Sequence, residues 1–406
     1  MLSRRELLRG ALALAPVAGG AAWLASLPRW LEDTVAAQSL TIKDLLKTAP
    51  RARFWTTFAL SGSDCLACHT PSNDISRAHA HDPKTVSCLL CAQRCVIKAG
   101  ERGRCRARMN VDGELRSLVY GRPLAVHVDP IEKKPFYHFL PGSDAFSLGT
   151  AGCPLRCTFC QNWTLSQVSP EDNDTQYAAP DAIVNAARQN KSPIIAFTYN
   201  EPTVFTEYLL DIARDGRKQN LRSVLVSCGF MNEAPLAEMC QALDAIKIDL
   251  KGFSEDFYRK VSSAELKPVL RSIKQVARSK AHLELVNLMV PTLNDDKASV
   301  QGLVDWVAGE LGPDVPIHFT RFHPDYQLLN LPPTPIATLE GARDAAMAKG
   351  IHYAYVGNVP DHPGNHTYCP KCGKIVIKRS GFFVDQLNLH KGACAFCGTR
   401  IAGVFS

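Results

Sequence analysis

Gly152-Cys153-Pro154-Leu155-Arg156-Cys157-Thr158-Phe159-Cys160-Gln161-Asn162-Trp163 is the stretch on which the reading of this chain turns. Three thiolates within eight residues can converge on three corners of an iron–sulfur cube. A three-ligand set leaves the fourth iron free, as an open position does in a catalytic metal site. The same spacing would also stack three cysteines on one helix face, but Gly152 and Pro154 act against a regular helix there. A zinc site would need a fourth ligand, and no histidine or further cysteine lies close in sequence.

Working outward, the loop follows an apolar run at 145–148, the first of seven. The others are 194–198, 224–227, 245–250, 283–290, 317–322 and 353–356. Amphipathic segments lie between them, among them 180–189, 203–217 and 298–310, and Pro180-Asp181 suits a helix start. Strands alternating with helices predict an α/β domain with a parallel sheet, and near-continuous apolar runs suit strands buried on both faces. Periodicity alone fits an open barrel, a closed barrel or a doubly wound sheet.

In such folds functional residues gather where strands end. Polar residues stand there repeatedly: Thr198-Tyr199-Asn200-Glu201-Pro202, Ser227-Cys228-Gly229, Asp249 and Lys251, Pro291-Thr292-Leu293-Asn294-Asp295, His323-Pro324-Asp325, and Gly357-Asn358.

The remaining cysteines fall mostly in groups. Cys88, Cys91, Cys95 and Cys105 supply four thiolates for zinc or for a second iron–sulfur cluster, and spacing does not separate the two. Cys369, Cys372, Cys394 and Cys397 form two knuckles, each followed by glycine, as in a zinc ribbon or a rubredoxin-like iron site. Cys65-Leu66-Ala67-Cys68-His69 matches the c-type haem attachment pattern, with His79 or His81 as a second axial ligand; extra metal ligation or chance is the alternative. Cys228 and Cys240 stand alone and read as buried apolar thiols. Residues 61–110 carry little periodic apolar pattern, so metal ligation is expected to order them. Asp112-Gly113 signals a hairpin.

Composition sets the frame. The chain has 406 residues, 46% of them apolar, enough for one large domain with smaller modules. A net charge of +7 spread along the chain argues against a nucleic-acid footprint. Ser3-Arg4-Arg5-Glu6-Leu7-Leu8-Arg9, followed by an apolar stretch, reads as a twin-arginine (Tat) signal, with Val35-Ala36-Ala37 as a cleavage site. Export to the periplasm or membrane tethering is the expectation, a cytoplasmic protein the alternative. The expected organisation is a signal segment at 1–37, a Cys-rich module at 38–142, a core domain at 143–362 and a zinc-ribbon-like module at 363–406.

With these residues in place, the chain resembles the radical SAM (S-adenosylmethionine) superfamily, and within it the pyruvate formate-lyase activating enzyme-like group. The likeness is densest to the radical SAM enzymes of the AmmeMemoRadiSam system. It is carried by Cys88-Leu89-Leu90-Cys91-Ala92-Gln93-Arg94-Cys95, Gly100-Glu101-Arg102-Gly103-Arg104-Cys105, Asp129-Pro130-Ile131-Glu132-Lys133-Lys134-Pro135, the cluster loop and Tyr199-Asn200-Glu201-Pro202, and runs from about residue 86 to 360. The resemblance implies a partial (β/α)6 TIM-like barrel, with the Cys-rich module before it and the ribbon- or rubredoxin-like module after it. It implies an oxidoreductase that reductively cleaves SAM at a [4Fe–4S] cluster held by Cys153, Cys157 and Cys160, giving a 5′-deoxyadenosyl radical that abstracts hydrogen from a substrate. Asn200 and Glu201 occupy the place of the family's Gly-Gly-Glu motif, of which only the Glu maps cleanly. Asp249 and Lys251 match a strand-end Asp-x-Lys near SAM, and His323 a histidine near the SAM ribose. Ser227 stands where the activating enzymes carry Asp, which removes the basis for a cation site there. The implied partners are a flavodoxin- or ferredoxin-like reductant, with Memo- and AMMECR-type proteins as system partners and a glycyl radical protein among the substrate options. Rival readings of the same cysteines are a non-catalytic iron–sulfur or haem electron-transfer protein and a metal-stapled scaffold; a pure carrier needs neither Glu201 nor an open iron.

Overall fold

The computed structural model describes residues 40–57 and 84–406. An eight-stranded sheet organises them, its strands lying side by side in chain order: β1 (Ala125–Pro130), β2 (Asp144–Gly149), β3 (Ile194–Phe197), β4 (Arg222–Ser227), β5 (Ala245–Asp249), β6 (His282–Met289), β7 (Ile317–Arg321) and β8 (Ala354–Gly357). β1 pairs antiparallel with β2, and every later pairing is parallel. Helical crossovers join the parallel strands: α1 (Pro180–Gln189), α2 (Thr206–Lys218), α3 (Glu233–Ala242), α4 (Leu266–Ala277), α5 (Lys297–Leu311) and α6 (Ile336–Ala348). A doubly wound sheet reverses strand order at a switch point. This order never reverses, so the chain winds one way round, as in a barrel. The two edges, β1 and β8, do not pair, which leaves the barrel open. The six crossovers match the expected partial (β/α)6 architecture.

The local causes are direct. β3, Ile-Ile-Ala-Phe, is buried throughout, as a central parallel strand should be. Pro180 opens α1, where its missing N–H costs nothing, and Ile183, Val184, Ala186 and Ala187 form the buried face. Ile131, Phe136 and Phe139, all fully buried, pack against Ala145, Ile194, Val224 and Ala245 near the starts of β2 to β5 and fill that end of the barrel. Each Phe so buried stabilises the fold by about 1.5–3 kcal/mol.

The flanking pieces are small. Trp55–Thr57, Val86–Cys88 and Val96–Ile97 form a three-stranded antiparallel sheet. Arg108–Val111 and Glu114–Ser117 form the hairpin that Asp112-Gly113 announced, with φ of 54° and 93° at the two turn residues. After the barrel come a sheet of Thr367–Tyr368, Ile375–Ser380 and Phe383–Leu387 and a ribbon of Leu389–His390 with Ala393–Cys394.

The expectation of export or membrane tethering is corrected. Among the described residues no helix is long and apolar enough to cross a membrane. The Tat-type segment at 1–37, on which that expectation rested, lies outside the described residues. So do Cys65, Cys68, His69, His79 and His81 and the haem attachment read from them.

Candidate active site

One cavity of about 380 Å³ opens where the parallel strands end. Alternate residues of successive strands face it: Val226 from β4, Lys247 and Asp249 from β5, Val286 and Leu288 from β6, His318 and Thr320 from β7. Its rim is closed by Ser227 at the end of β4 and, from loops, by Cys153, Cys157, Cys160, Thr198 to Glu201, Cys228, Lys251 and Asn358. That volume lies within the range of small-molecule sites, about 300–1,000 Å³.

The cysteine loop leaves β2 through two glycines that nothing larger could replace. A Cβ on Gly149 would lie 2.6 Å from the Thr198 carbonyl oxygen. Gly152 holds φ at +90°, and a Cβ there would lie 2.2 Å from the carbonyl oxygen of Cys105. Backbone N–H groups of Arg156 and Thr158 donate to Ser262 and Val261 at 3.0 Å, pinning the loop to the turn after β5. Asn200 fastens it on the other side: its Nδ2 donates to the Gly152 carbonyl at 2.8 Å, and its Oδ1 accepts from the Thr150 N–H at 3.4 Å. Asn162 returns a bond to the Tyr199 carbonyl at 2.9 Å. Tyr199 itself sits at φ 74°, a strained conformation for a tyrosine, beside the residues it positions.

Cys157 is buried and Cys153 and Cys160 are partly so. Burial pushes the Cys153 thiol well up, and the Glu201 carboxylate adds to the effect. Burial also raises Cys157, against the opposing charge of Lys251. Thiolates in such surroundings need a bound metal to compensate their charge. Three inward thiols that no fourth loop cysteine completes fit an iron–sulfur cluster with one open corner.

Glu201, 3% exposed, presents a fully oriented carboxylate. Its Oε1 accepts from the Thr203 hydroxyl at 2.6 Å and the Ser227 hydroxyl at 2.8 Å, and its Oε2 from the Cys228 N–H at 2.7 Å. Ser227 is thereby an orienting group. Cys228, read from sequence as an isolated buried thiol, lines the same cavity, and burial followed by the nearby Glu201 charge holds its thiol protonated. Its place after a strand end was the available signal. Cys240 is buried on α3, away from the cavity lining.

Across the cavity, Asp249 lies 2.6 Å from Lys247 Nζ and 3.4 Å from Lys251 Nζ. Burial would raise this carboxyl, but the two ammonium groups hold it below its ordinary range. Lys251 stays firmly protonated: burial works against its charge, and Asp249 and Cys157 outweigh burial. His323 is exposed and is not among the residues lining the cavity. His318 is; its Nε2 lies 2.8 Å from Glu284, a fully buried carboxylate that also takes the backbone N–H of Tyr137 and His138 at 3.0 and 2.8 Å. Nothing in the sequence pattern marked Glu284, because one acidic residue in an apolar strand carries no motif.

The two four-cysteine groups differ. Cys369, Cys372, Cys394 and Cys397 bring their sulfurs within 4.8 Å of one another. Pairs stand at 3.6 and 3.8 Å, and Gly373 and Gly398, at φ 69° and 74°, turn the two knuckles. Of the other four, Cys88, Cys91 and Cys105 are buried and Cys95 is partly exposed.

Comparison with known proteins agrees with the geometry. The sequence profile of the radical SAM superfamily matches residues 147–306. An uncharacterized protein of Methanocaldococcus jannaschii is 42% identical over 322 residues, spanning 79% of this chain and 96% of the relative. The pyruvate formate-lyase-activating enzyme of Staphylococcus epidermidis is 23% identical over 235 residues, covering 53% of this chain and 90% of that enzyme. A crystal structure of a domain of pyruvate formate-lyase-activating enzyme from Bacteroides vulgatus aligns over 40% of this chain and 98% of that one, with TM-score 0.37 and 15% identity. None of these supports a non-catalytic electron carrier. With its matched profile and its activating-enzyme homologues, the chain belongs to the radical SAM superfamily and is an enzyme.

Proposed function

We propose that Cys153, Cys157 and Cys160 hold the [4Fe–4S] cluster, and that SAM occupies the cavity between this loop and the ends of β4 to β8. The observation that carries the reading is the shared cavity, in which the three thiols face Glu201 and the Asp249–Lys251 pair. The cluster that these three cysteines would hold would supply one-electron reduction of the SAM sulfonium, the chemistry that yields methionine and a 5′-deoxyadenosyl radical for hydrogen abstraction. The amino group of SAM would donate to the Glu201 carboxylate, whose orientation Ser227 and Thr203 fix beforehand. Asn200 acts through the loop, holding the Gly152 carbonyl and therefore the angle at which Cys153 enters. Asp249 and Lys251 set a fixed charge pair against the cofactor's polar end. Walls of Leu155, Phe159, Val286 and Leu288 keep water from the reactive carbon. A flavodoxin- or ferredoxin-class protein is the electron donor. At the C-terminus the sulfur spacing supports one tetrahedral ion, structural zinc or a rubredoxin-like iron: metal–sulfur bonds of about 2.3 Å place sulfurs about 3.8 Å apart.

Protein reconstituted with iron and sulfide without oxygen, then given SAM and dithionite, is expected to form 5′-deoxyadenosine. Cys157→Ala should abolish it. Product at the wild-type rate in that variant refutes the reading.

A further inference from the structure

The N-terminal cysteines have no part in the site described so far, yet they abut it. Cys88 ends one strand of a short hairpin; its N–H donates to the Cys95 carbonyl at 2.9 Å, which brings Cys95 back beside it. The Arg104 N–H points at Cys95 Sγ at 3.4 Å, an amide–sulfur bond of the kind that stabilises metal-bound thiolates. Gly103 lies between Cys95 and Cys105: a Cβ there would be in ordinary contact, 3.8 Å, with both sulfurs. Cys88 and Cys95 pack in one apolar cluster with Leu90 and Ile97, Cys91 and Cys105 are buried, and no disulfide joins the four.

Their spacing separates them from the C-terminal group. Sulfurs around one tetrahedral zinc stand about 3.8 Å apart. Among the described residues only the C-terminal four gather so closely. No three of the four N-terminal sulfurs lie within 4.8 Å of one another, a looser set than one tetrahedral ion draws in and of the kind that ligands on the separate irons of a cluster form.

Position supplies the role. The Cys105 carbonyl lies against Gly152, one residue before Cys153. Arg156 bridges the two loops, donating to the Cys153 carbonyl at 2.8 Å and to the Arg104 carbonyl at 2.6 Å. Arg104 and Gln93 both donate to the Pro154 carbonyl, at 3.1 and 3.3 Å. We propose that Cys88, Cys91, Cys95 and Cys105 bind a second iron–sulfur cluster, which passes single electrons to the cluster at Cys153, Cys157 and Cys160. Four thiolates cap every available corner, so this cluster binds no substrate and serves electron transfer. A one-electron donor of the ferredoxin or flavodoxin class reduces it, and the same electron leaves for the neighbouring cluster, with no proton or group moved. The relay role rests on the SAM-cleaving reading; occupancy of the site does not.

The experiment removes the other cluster. The Cys153→Ala/Cys157→Ala/Cys160→Ala variant, reconstituted anaerobically, should keep iron and acid-labile sulfide in equal amounts, about two to four per chain. Its reduced paramagnetic resonance signal should not change when SAM is added. Adding Cys95→Ala and Cys105→Ala should remove both sulfide and signal. If these substitutions prevent folding, the unaltered protein decides: sulfide beyond the four of one cluster supports the proposal, and four with additional zinc overturns it. Zinc without sulfide in the triple variant, no metal there, or sulfide surviving the added substitutions also overturns it. For the relay, Cys95→Ser should slow 5′-deoxyadenosine formation at least tenfold with a reduced ferredoxin yet leave the dithionite-driven rate unchanged; equal rates with both donors refute it. Absence of 5′-deoxyadenosine from wild-type protein would instead sink the SAM reading, leaving the sulfide result standing.

Discussion

The cysteine loop after β2 and the C-terminal knuckles use the same ligand chemistry to opposite ends. At the C-terminus four sulfurs close on one point, two of them on exposed residues, and the glycine turns Gly373 and Gly398 repeat the same local geometry. Such a set is complete without anything further, and its free energy of metal binding becomes folding free energy. After β2, three sulfurs line a cavity and the surrounding protein holds Glu201, Asp249 and Lys251 in place for something else to complete the set. The lesson is that ligand count and what faces the vacant position, more than cysteine content, separate a staple from a reaction centre.

The largest expected effect falls on that contrast. Cys157→Ala should lower 5′-deoxyadenosine formation by more than about a hundredfold, since a cluster lost is chemistry lost. Cys394→Ser should leave the yield per folded chain unchanged and lower the melting temperature, read by calorimetry with and without a strong chelator. Equal loss of activity in both variants would break the comparison. Glu201→Gln comes next. A hydrogen bond to a charged group contributes about 1.5–3 kcal/mol. Affinity for SAM, measured by equilibrium dialysis, should therefore weaken roughly ten- to hundredfold. The iron content should be unchanged.

The smallest effect concerns Glu132, at the base of the cavity. Burial pushes its carboxyl up to about 7, although Arg379 opposes the rise. The folded state thus holds this proton more tightly than the unfolded chain, whose glutamate titrates near 4.5. The stability this contributes is complete below about pH 4.5 and is lost as pH rises to about 7. Glu132→Gln should flatten the slope of melting temperature across that window. An unchanged slope would mean that Glu132 is ionised throughout.

Much of this molecule was legible beforehand, for physical reasons. The seven parallel strands announced themselves because buried strands must be apolar on both faces. α1 showed its start through Pro180, and the Asp112-Gly113 turn through its tolerance of positive φ. β1 did not stand out: it is an edge strand whose His127 is exposed, so its pattern resembles a loop. The strand order, and with it the choice between a barrel and a doubly wound sheet, depends on pairings no local pattern records. Cys153, Cys157 and Cys160 were readable from spacing and Glu201 from its place after a strand. His318 and Glu284 meet the cavity or support it only through the third dimension. His323 shows the converse, a strand-end histidine that is exposed and does not line the cavity.

The central claim is an iron corner left open at the Cys153–Cys157–Cys160 loop. Electron paramagnetic resonance of the dithionite-reduced protein, in a Cys95→Ala/Cys105→Ala background, addresses it directly. The account predicts a cluster signal whose g-values shift when SAM is added and which Cys157→Ala eliminates. A signal indifferent to SAM, or zinc at this loop in place of iron, would contradict it.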